Sequence, residues 1–269
     1  MVVFVIALLS GCSEFELSRL GDDTREGDSG LRSLPMAEPP RLYTPPTPFD
    51  LLNPFPPGEA PVYLHSGNQL WSWSPEDDDP VFIGRFTGDF PEFDSMGDAA
   101  LSAQGKLFGT TRTAIYAIDP ETAETVKISS LRAPVWGLVF LRDGRLLGSG
   151  EGIYVIDPED GSFAETLLAP NGQDETSGDL AELPNGWVYW TTLGEGQDEL
   201  LVFDPDARAI VQRGLAPTGG VWGLAYTADT LFGFNFLGDF IRLDLENGSE
   251  VFDQNQPVGW SGAAGNPLK

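Results

Sequence analysis

The chain has one cysteine and one histidine among its 269 residues, three methionines, and only 15 basic residues against 41 acidic ones. Each scarcity excludes something. A single cysteine forbids an internal disulfide and a cysteine-based zinc site, and a single histidine leaves no imidazole cluster for a transition metal. A formal net charge of −26 and a pI of about 4.1 set the chain against phosphate backbones and anionic headgroups. Nucleic-acid binding and membrane adsorption by charge are thereby excluded. The 32 glycines and 22 prolines argue against a helical bundle. Nothing in the composition implies a cofactor or a metal, and nothing in it names a substrate.

The chain opens on an uninterrupted apolar run from Met1 to Leu9. It falls far short of the roughly 20 residues that a membrane-crossing helix needs and reads as the hydrophobic region of a secretory signal. Leu9-Ser10-Gly11-Cys12 follows at once. This stretch resembles the lipobox of bacterial lipoproteins, in which small residues precede a cysteine that is linked to diacylglycerol and becomes the new N-terminus. The resemblance implies that Cys12 is a lipidation site and that residues 1–12 are a lipoprotein signal. It also implies a cell-envelope address, and Ser13 after the cysteine points to sorting to the outer membrane.

Residues 13–61 read as a tether. Ser13 to Leu34 is polar and acidic, and ten of the 27 residues from Pro35 to Pro61 are proline. Such a segment cannot bury enough apolar surface to offset ordering entropy. Proline favours an extended path of about 3.1 Å per residue, which would hold a domain up to roughly 80 Å from its anchor.

From Val62 onward short β-rich runs repeat. The clearest unit is a strand ending in an acidic turn: IYAIDPET from Ile115, IYVIDPEDG from Ile153, LLVFDPDA from Leu200 and FIRLDLENG from Phe240, with a weaker copy LWSWSPED from Leu70. In register on the turn residue, the preceding position holds Trp73, Ile118, Ile156, Phe203 and Leu243, and two further back stand Trp71, Tyr116, Tyr154, Leu201 and Ile241. The column between is tolerant (Ser72, Ala117, Val155, Val202, Arg242), so the period is two and one strand face is firmly buried. Aspartate at the turn accepts a local backbone hydrogen bond and proline presets φ for the next residue. A hairpin precedes each unit and a further apolar stretch follows it, giving four antiparallel strands per period. The turn residues Ser74, Asp119, Asp157, Asp204 and Asp244 are spaced by 45, 38, 47 and 40, around the length of a propeller blade.

Val62 to Phe86 supplies the second, third and fourth strands of a blade without a first, while the C-terminal WSGAAGNPLK reads as a first strand with nothing after it. Joining them predicts an all-β fold, a five-bladed β-propeller of four-stranded antiparallel blades closed by the C-terminal strand. The predicted blades are 62–86 with 258–269, then 97–130, 136–168, 178–213 and 221–253. Closure removes the open edge of an unpaired strand. The pattern resembles bacterial secreted and lipid-anchored propeller repeat proteins of the broad YVTN, NHL and quinoprotein-like kind, whose motifs specify fold far better than activity.

In this fold the innermost strands line the central channel and their first residues stand at one mouth. Alignment there places Gly97-Asp98, Trp136-Gly137, Gly178-Asp179, Trp222-Gly223 and Ser261-Gly262 together, with Trp260 just before the last. Carboxylates at Asp98 and Asp179 and indoles at Trp136, Trp222 and Trp260 are therefore the candidate ligand-binding residues. The competing reading packs the indoles between blades and spends the aspartates on backbone amides. His65 falls in a column with Thr110 and Ser149 and is expected to be structural. The acidic run Glu76 to Asp79 lacks the ligand spacing and glycine of a calcium loop, and GSGEG from Gly148 lacks the Lys-Ser/Thr of a phosphate cradle. Three functions stay open: a binding module that engages an envelope protein or glycan at the channel mouth, a carbohydrate-active hydrolase using Asp98 and Asp179, and a structural envelope component.

Overall fold

In the computed structural model, residues 17–18, 61–77, 79–243, 250–253, 256 and 258–267 are described here. Cys12, the rest of the signal and most of the tether lie outside them. The described residues contain no helix and twenty-two strands, numbered in chain order from β1 (Leu17–Ser18).

The strands form five sheets. The first blade is built from β22 (Gly262–Ala264), β2 (Val62–Ser66), β3 (Gln69–Trp73) and β4 (Val81–Arg85), in that order. The C-terminal strand therefore closes the ring as expected, with Tyr63, Leu64 and His65 opposite Ala264, Ala263 and Gly262. Blade two runs β6 (Asp98–Leu101), β7 (Leu107–Thr110), β8 (Ala114–Ile118), β9 (Glu124–Ser130), and the two-residue β5 (Thr87–Gly88) adds to its outer edge in parallel. Blade three is β10 (Gly137–Phe140), β11 (Leu146–Ser149), β12 (Ile153–Ile156) and β13 (Phe163–Leu168). Blade four is β14 (Thr176–Glu182), β15 (Val188–Thr192), β16 (Glu199–Asp204) and β17 (Ala209–Leu215), with β1 on its outer edge. Blade five is β18 (Val221–Thr227), β19 (Thr230–Asn235), β20 (Phe240–Leu243) and β21 (Glu250–Asp253).

Five apolar clusters fill the five interfaces between neighbouring blades. Leu101, Leu107 and Ile118 pack with Tyr63 and Leu70; Phe108 and Ile115 with Leu138 and Ile156; Leu147 and Ile153 with Trp190 and Phe203; Tyr189 and Val202 with Leu224 and Ile241. Phe232, Phe234 and Phe240 of blade five meet Trp73 and Trp260 of blade one. The three phenylalanine rings lie 5.0 to 5.7 Å from Trp73 and nearly perpendicular to it, the edge-to-face geometry that aromatic quadrupoles favour.

The period-two pattern of the third strands holds at its buried positions, where Trp73, Ile118, Ile156, Phe203 and Leu243 are all shielded. The tolerant column is half-buried at Ser72, Ala117 and Val155 but fully buried at Val202. A blade packs against a neighbour on each side, so its second face is also covered to a degree that depends on position in the ring. The acidic turns behave as local chemistry requires. Asp119 accepts from the Glu121 and Thr122 amides, Asp157 from Glu159, and Asp204 from Asp206 and Ala207, at 2.8 to 3.2 Å.

Candidate functional site

The first residues of the innermost strands converge on the axis. Register fixes the column: Asp98 lies opposite Thr110, Gly137 opposite Ser149, and Gly262 opposite His65. Glycine recurs here for lack of space. A Cβ on Gly262 would fall on the His65 ring and the Asp98 carboxylate, and one on Gly137 would crowd Ser149 and the Gly178 carbonyl.

Asp98, Asp179 and His65 are fully buried at this collar. The backbone amide of Leu138 in blade three donates to Asp98 Oδ2 at 2.6 Å. Asp179 Oδ1 accepts from its neighbour Leu180 at 2.5 Å, and Oδ2 accepts from Leu224 of blade five at 2.7 Å and from Ala263 of blade one at 3.3 Å. His65 Nε2 of blade one lies 3.4 Å from Asp98 Oδ1, and the two carboxyl groups are hydrogen-bonded to each other. All five blades are thus tied at the axis through three side chains.

Burial sets the ionisation of this group. Desolvation raises both carboxyls, and at Asp98 the neighbouring Asp179 charge raises it further. The hydrogen bond with Asp98 and then three backbone amides offset the effect at Asp179, so of the two carboxyls Asp98 is the one held more strongly in its protonated form. His65 is pushed down to about 3 by burial and is neutral.

The structure therefore brings Asp98 and Asp179 together, but inside the ring and committed to backbone amides. Trp136 and Trp222 stand apart from them on the face where the innermost strands begin, each 37% exposed. The Trp222 ring lies 5.1 Å from that of Phe236 at 31°, and Phe236 and Leu237 are themselves exposed. Trp260 is fully buried, between Phe240 at 5.8 Å and Trp71 at 5.9 Å. Among the described residues no group of three His, Cys, Asp or Glu is placed to hold a metal ion.

The channel opens at its other end. All five innermost strands line a small pocket of about 20 Å³ there, room for one or two water molecules, walled by small residues such as Ala181, Ala225 and Ala263 and carrying the polar groups of Arg142, Glu182 and Tyr226. The Arg142 guanidinium is fixed by the carbonyls of Pro184 at 2.9 Å and Pro267 at 3.0 Å, while its backbone amide donates to Glu182 Oε2 at 2.7 Å. Burial pushes the Glu182 carboxyl up to about 7, with the Arg142 amide and charge opposing. The sequence reading placed no site here. A signal existed: register puts Glu182 opposite Val188 where Leu101, Phe140 and Tyr226 stand opposite Leu107, Leu146 and Leu231. One carboxylate breaks a column otherwise made of large side chains.

Five closed four-stranded blades around an axis define the protein as a β-propeller. No protein-family model matches the chain, and no curated protein matches it. Among solved structures it is similar to a chain of a nidogen/laminin complex, with 11% identity, a TM-score of 0.56, and 76% of this chain and 97% of that one covered. It also matches a gluconolactonase from Xanthomonas campestris at 20% identity and a TM-score of 0.48, over 73% of this chain and 71% of that one. A protein from Bacteroides caccae described as of unknown function gives 12% identity and a TM-score of 0.45, over 73% and 72%. The likeness to the first is one of fold.

Proposed function

We propose that this protein is a lipid-anchored propeller of the bacterial cell envelope that acts as a binding module, held to the outer membrane through Cys12 and docking a protein partner on the face where the innermost strands begin. The observation that carries the reading is the exposure of Trp136, Trp222, Phe236 and Leu237 on that one face. Large aromatic side chains left half in water are what interface centres are made of. A glycan is the less favoured partner at this mouth, because the axial carboxylates that would hold its hydroxyls are occupied by the Leu138, Leu224 and Ala263 amides. The same occupation speaks against a two-carboxylate hydrolase.

Photo-crosslinking in cells from a reactive residue at position 222 tests the docking face. A discrete crosslinked protein is expected, and it should disappear in the Trp136→Ala variant carrying the same crosslinker. A uniform background of crosslinks would overturn the assignment. The anchor is tested separately. Mass spectrometry should find diacylglycerol on Cys12, and Cys12→Ser should release the protein from the membrane fraction.

A further inference from the structure

The docking face carries a charge pattern that selects its partner, a step that rests on that face being a docking surface. We propose that its occupant is a cationic protein segment, an apolar or aromatic side chain flanked by Lys or Arg, seated over Trp136 and Trp222.

The face is continuous from blade three to blade five. The Trp136 amide donates to the Ser149 carbonyl at 2.7 Å, and the next carbonyl, of Gly150, accepts from Thr176. The Glu175 carbonyl accepts from the Leu193 amide, Asp198 Oδ2 from the Gly220 amide, and the Gly220 carbonyl from the Phe236 amide. Trp222 lies against the Phe236 ring. These turns form one arc, with Trp136, Leu193, Trp222, Phe236 and Leu237 exposed along it.

Between those apolar side chains the arc offers negative charge alone. The turns 149–153, 168–176, 192–199, 215–221 and 235–240 contain no Lys or Arg. Arg213 reaches them from β17 and is taken by Asp174 and Glu199, and Arg132 stands over the Phe163 ring at 4.6 Å. Glu151, Glu175 and Glu195 remain exposed, and Asp198 and Asp239 are half-buried. Among the described residues none of these five carboxylates has an ion-pair partner. An apolar centre set among such carboxylates repels an anionic membrane and a second copy of this chain, whose net charge is −26. It attracts Lys and Arg, and a guanidinium gains twice there, by stacking on an indole and by pairing with a carboxylate. The acidic hairpins of the opposite face carry charge but no exposed indole.

Fluorescence anisotropy of three labelled peptides on the full chain tests the pairing: repeats of Arg-Leu-Lys-Trp, of Glu-Leu-Asp-Trp and of Arg-Ser-Lys-Gly. The first should bind saturably and about tenfold more tightly than either of the others. Its affinity should fall about fivefold between about 0.02 M and 0.3 M NaCl, and by a similar factor in the combined Glu151→Gln, Glu175→Gln, Glu195→Gln variant. The same neutralisation at Glu121, Glu124 and Glu159 on the opposite face should change it less than about twofold, and Trp222→Ala should weaken it about tenfold. A thermal melt on each variant confirms the fold, and the glutamine variants alter only exposed side chains. The proposal is overturned if the first peptide does not saturate, if the acidic peptide binds as tightly, if salt has no effect, or if neutralising either face acts alike. The docking face stands or falls separately, on the crosslink from position 222: a discrete crosslink to a segment of net negative charge keeps the face and overturns the cationic partner.

Discussion

At the scale of single residues, the two axial aspartates are equally buried but differ in their partners and therefore in their chemistry. Asp98 is held in its protonated form and accepts the Leu138 amide, and asparagine offers the same groups: an oxygen for that amide and an NH₂ for Asp179. Asp179 accepts three amides on two oxygens, and asparagine would turn an NH₂ group on at least one of them. Asp98→Asn is therefore expected to raise the unfolding free energy at pH 7, because the parent must take up a proton on folding there and the variant does not, whereas Asp179→Asn leaves a buried amide unpaired, at a cost of about 1–3 kcal/mol. Denaturant titration at fixed pH measures both. The same groups set a pH profile. Carboxyls raised in the folded state stabilise it at low pH, and that contribution is lost as pH rises from the ordinary carboxylate range through about 7 for Asp179. His65, depressed to about 3, does the reverse, and its contribution is lost as pH falls below its ordinary value of 6.5. The Asp98→Asn variant should therefore gain in melting temperature relative to the parent as pH is raised from 5 to 8. A constant offset across that window would contradict the proton assignment.

At the scale of elements, the acidic hairpins repeat down to their backbone. The fourth residue after the turn aspartate is left-handed in blades two, three and four, with φ of 62° at Ala123, 71° at Gly161 and 55° at Arg208. Only blade three uses the residue that takes this conformation without strain. Gly161 has a second reason, since a Cβ there would stand 2.8 Å from Ile115 Cγ2 and 2.9 Å from Ser129 Cβ. Gly161→Ala should cost about 1–3 kcal/mol by strain and overpacking together. Arg208→Gly should gain on the order of 0.5 kcal/mol, because relieved strain outweighs the exposed Arg208–Glu165 pair. Paired chemical denaturation of the two variants checks the opposite signs.

At the scale of the whole molecule, closure is a property of the two ends of the propeller. β22 supplies the strand that β2 lacks, and Trp260 beside it fills the interface between blades one and five. Removing residues 258–269 exposes the edge of β2, the Trp73 cluster and the Asp179 carboxylate that Ala263 helps to satisfy. Cooperative unfolding should be lost in that truncation. A circular permutant that places residues 258–267 directly before Val62 should keep a single transition within a few degrees of the parent, since every blade contact is retained. Calorimetry of the two proteins separates the closure argument from a simple loss of residues.

The sequence by itself determined the number of blades, their boundaries and the strand exchange that closes them. Those follow from a repeat of apolar period, turn chemistry and one missing strand, all of which are local patterns. It also placed His65 in the column of Thr110 and Ser149, where the register puts it. What it could not decide was direction. Whether Asp98 and Asp179 face water or a neighbouring blade's amides depends on how five strands from distant parts of the chain approach one axis, and no single repeat contains that distance. For the same reason Glu182 and Arg142 read as ordinary residues near two unrelated turns, and only the ring makes them the walls of one cavity.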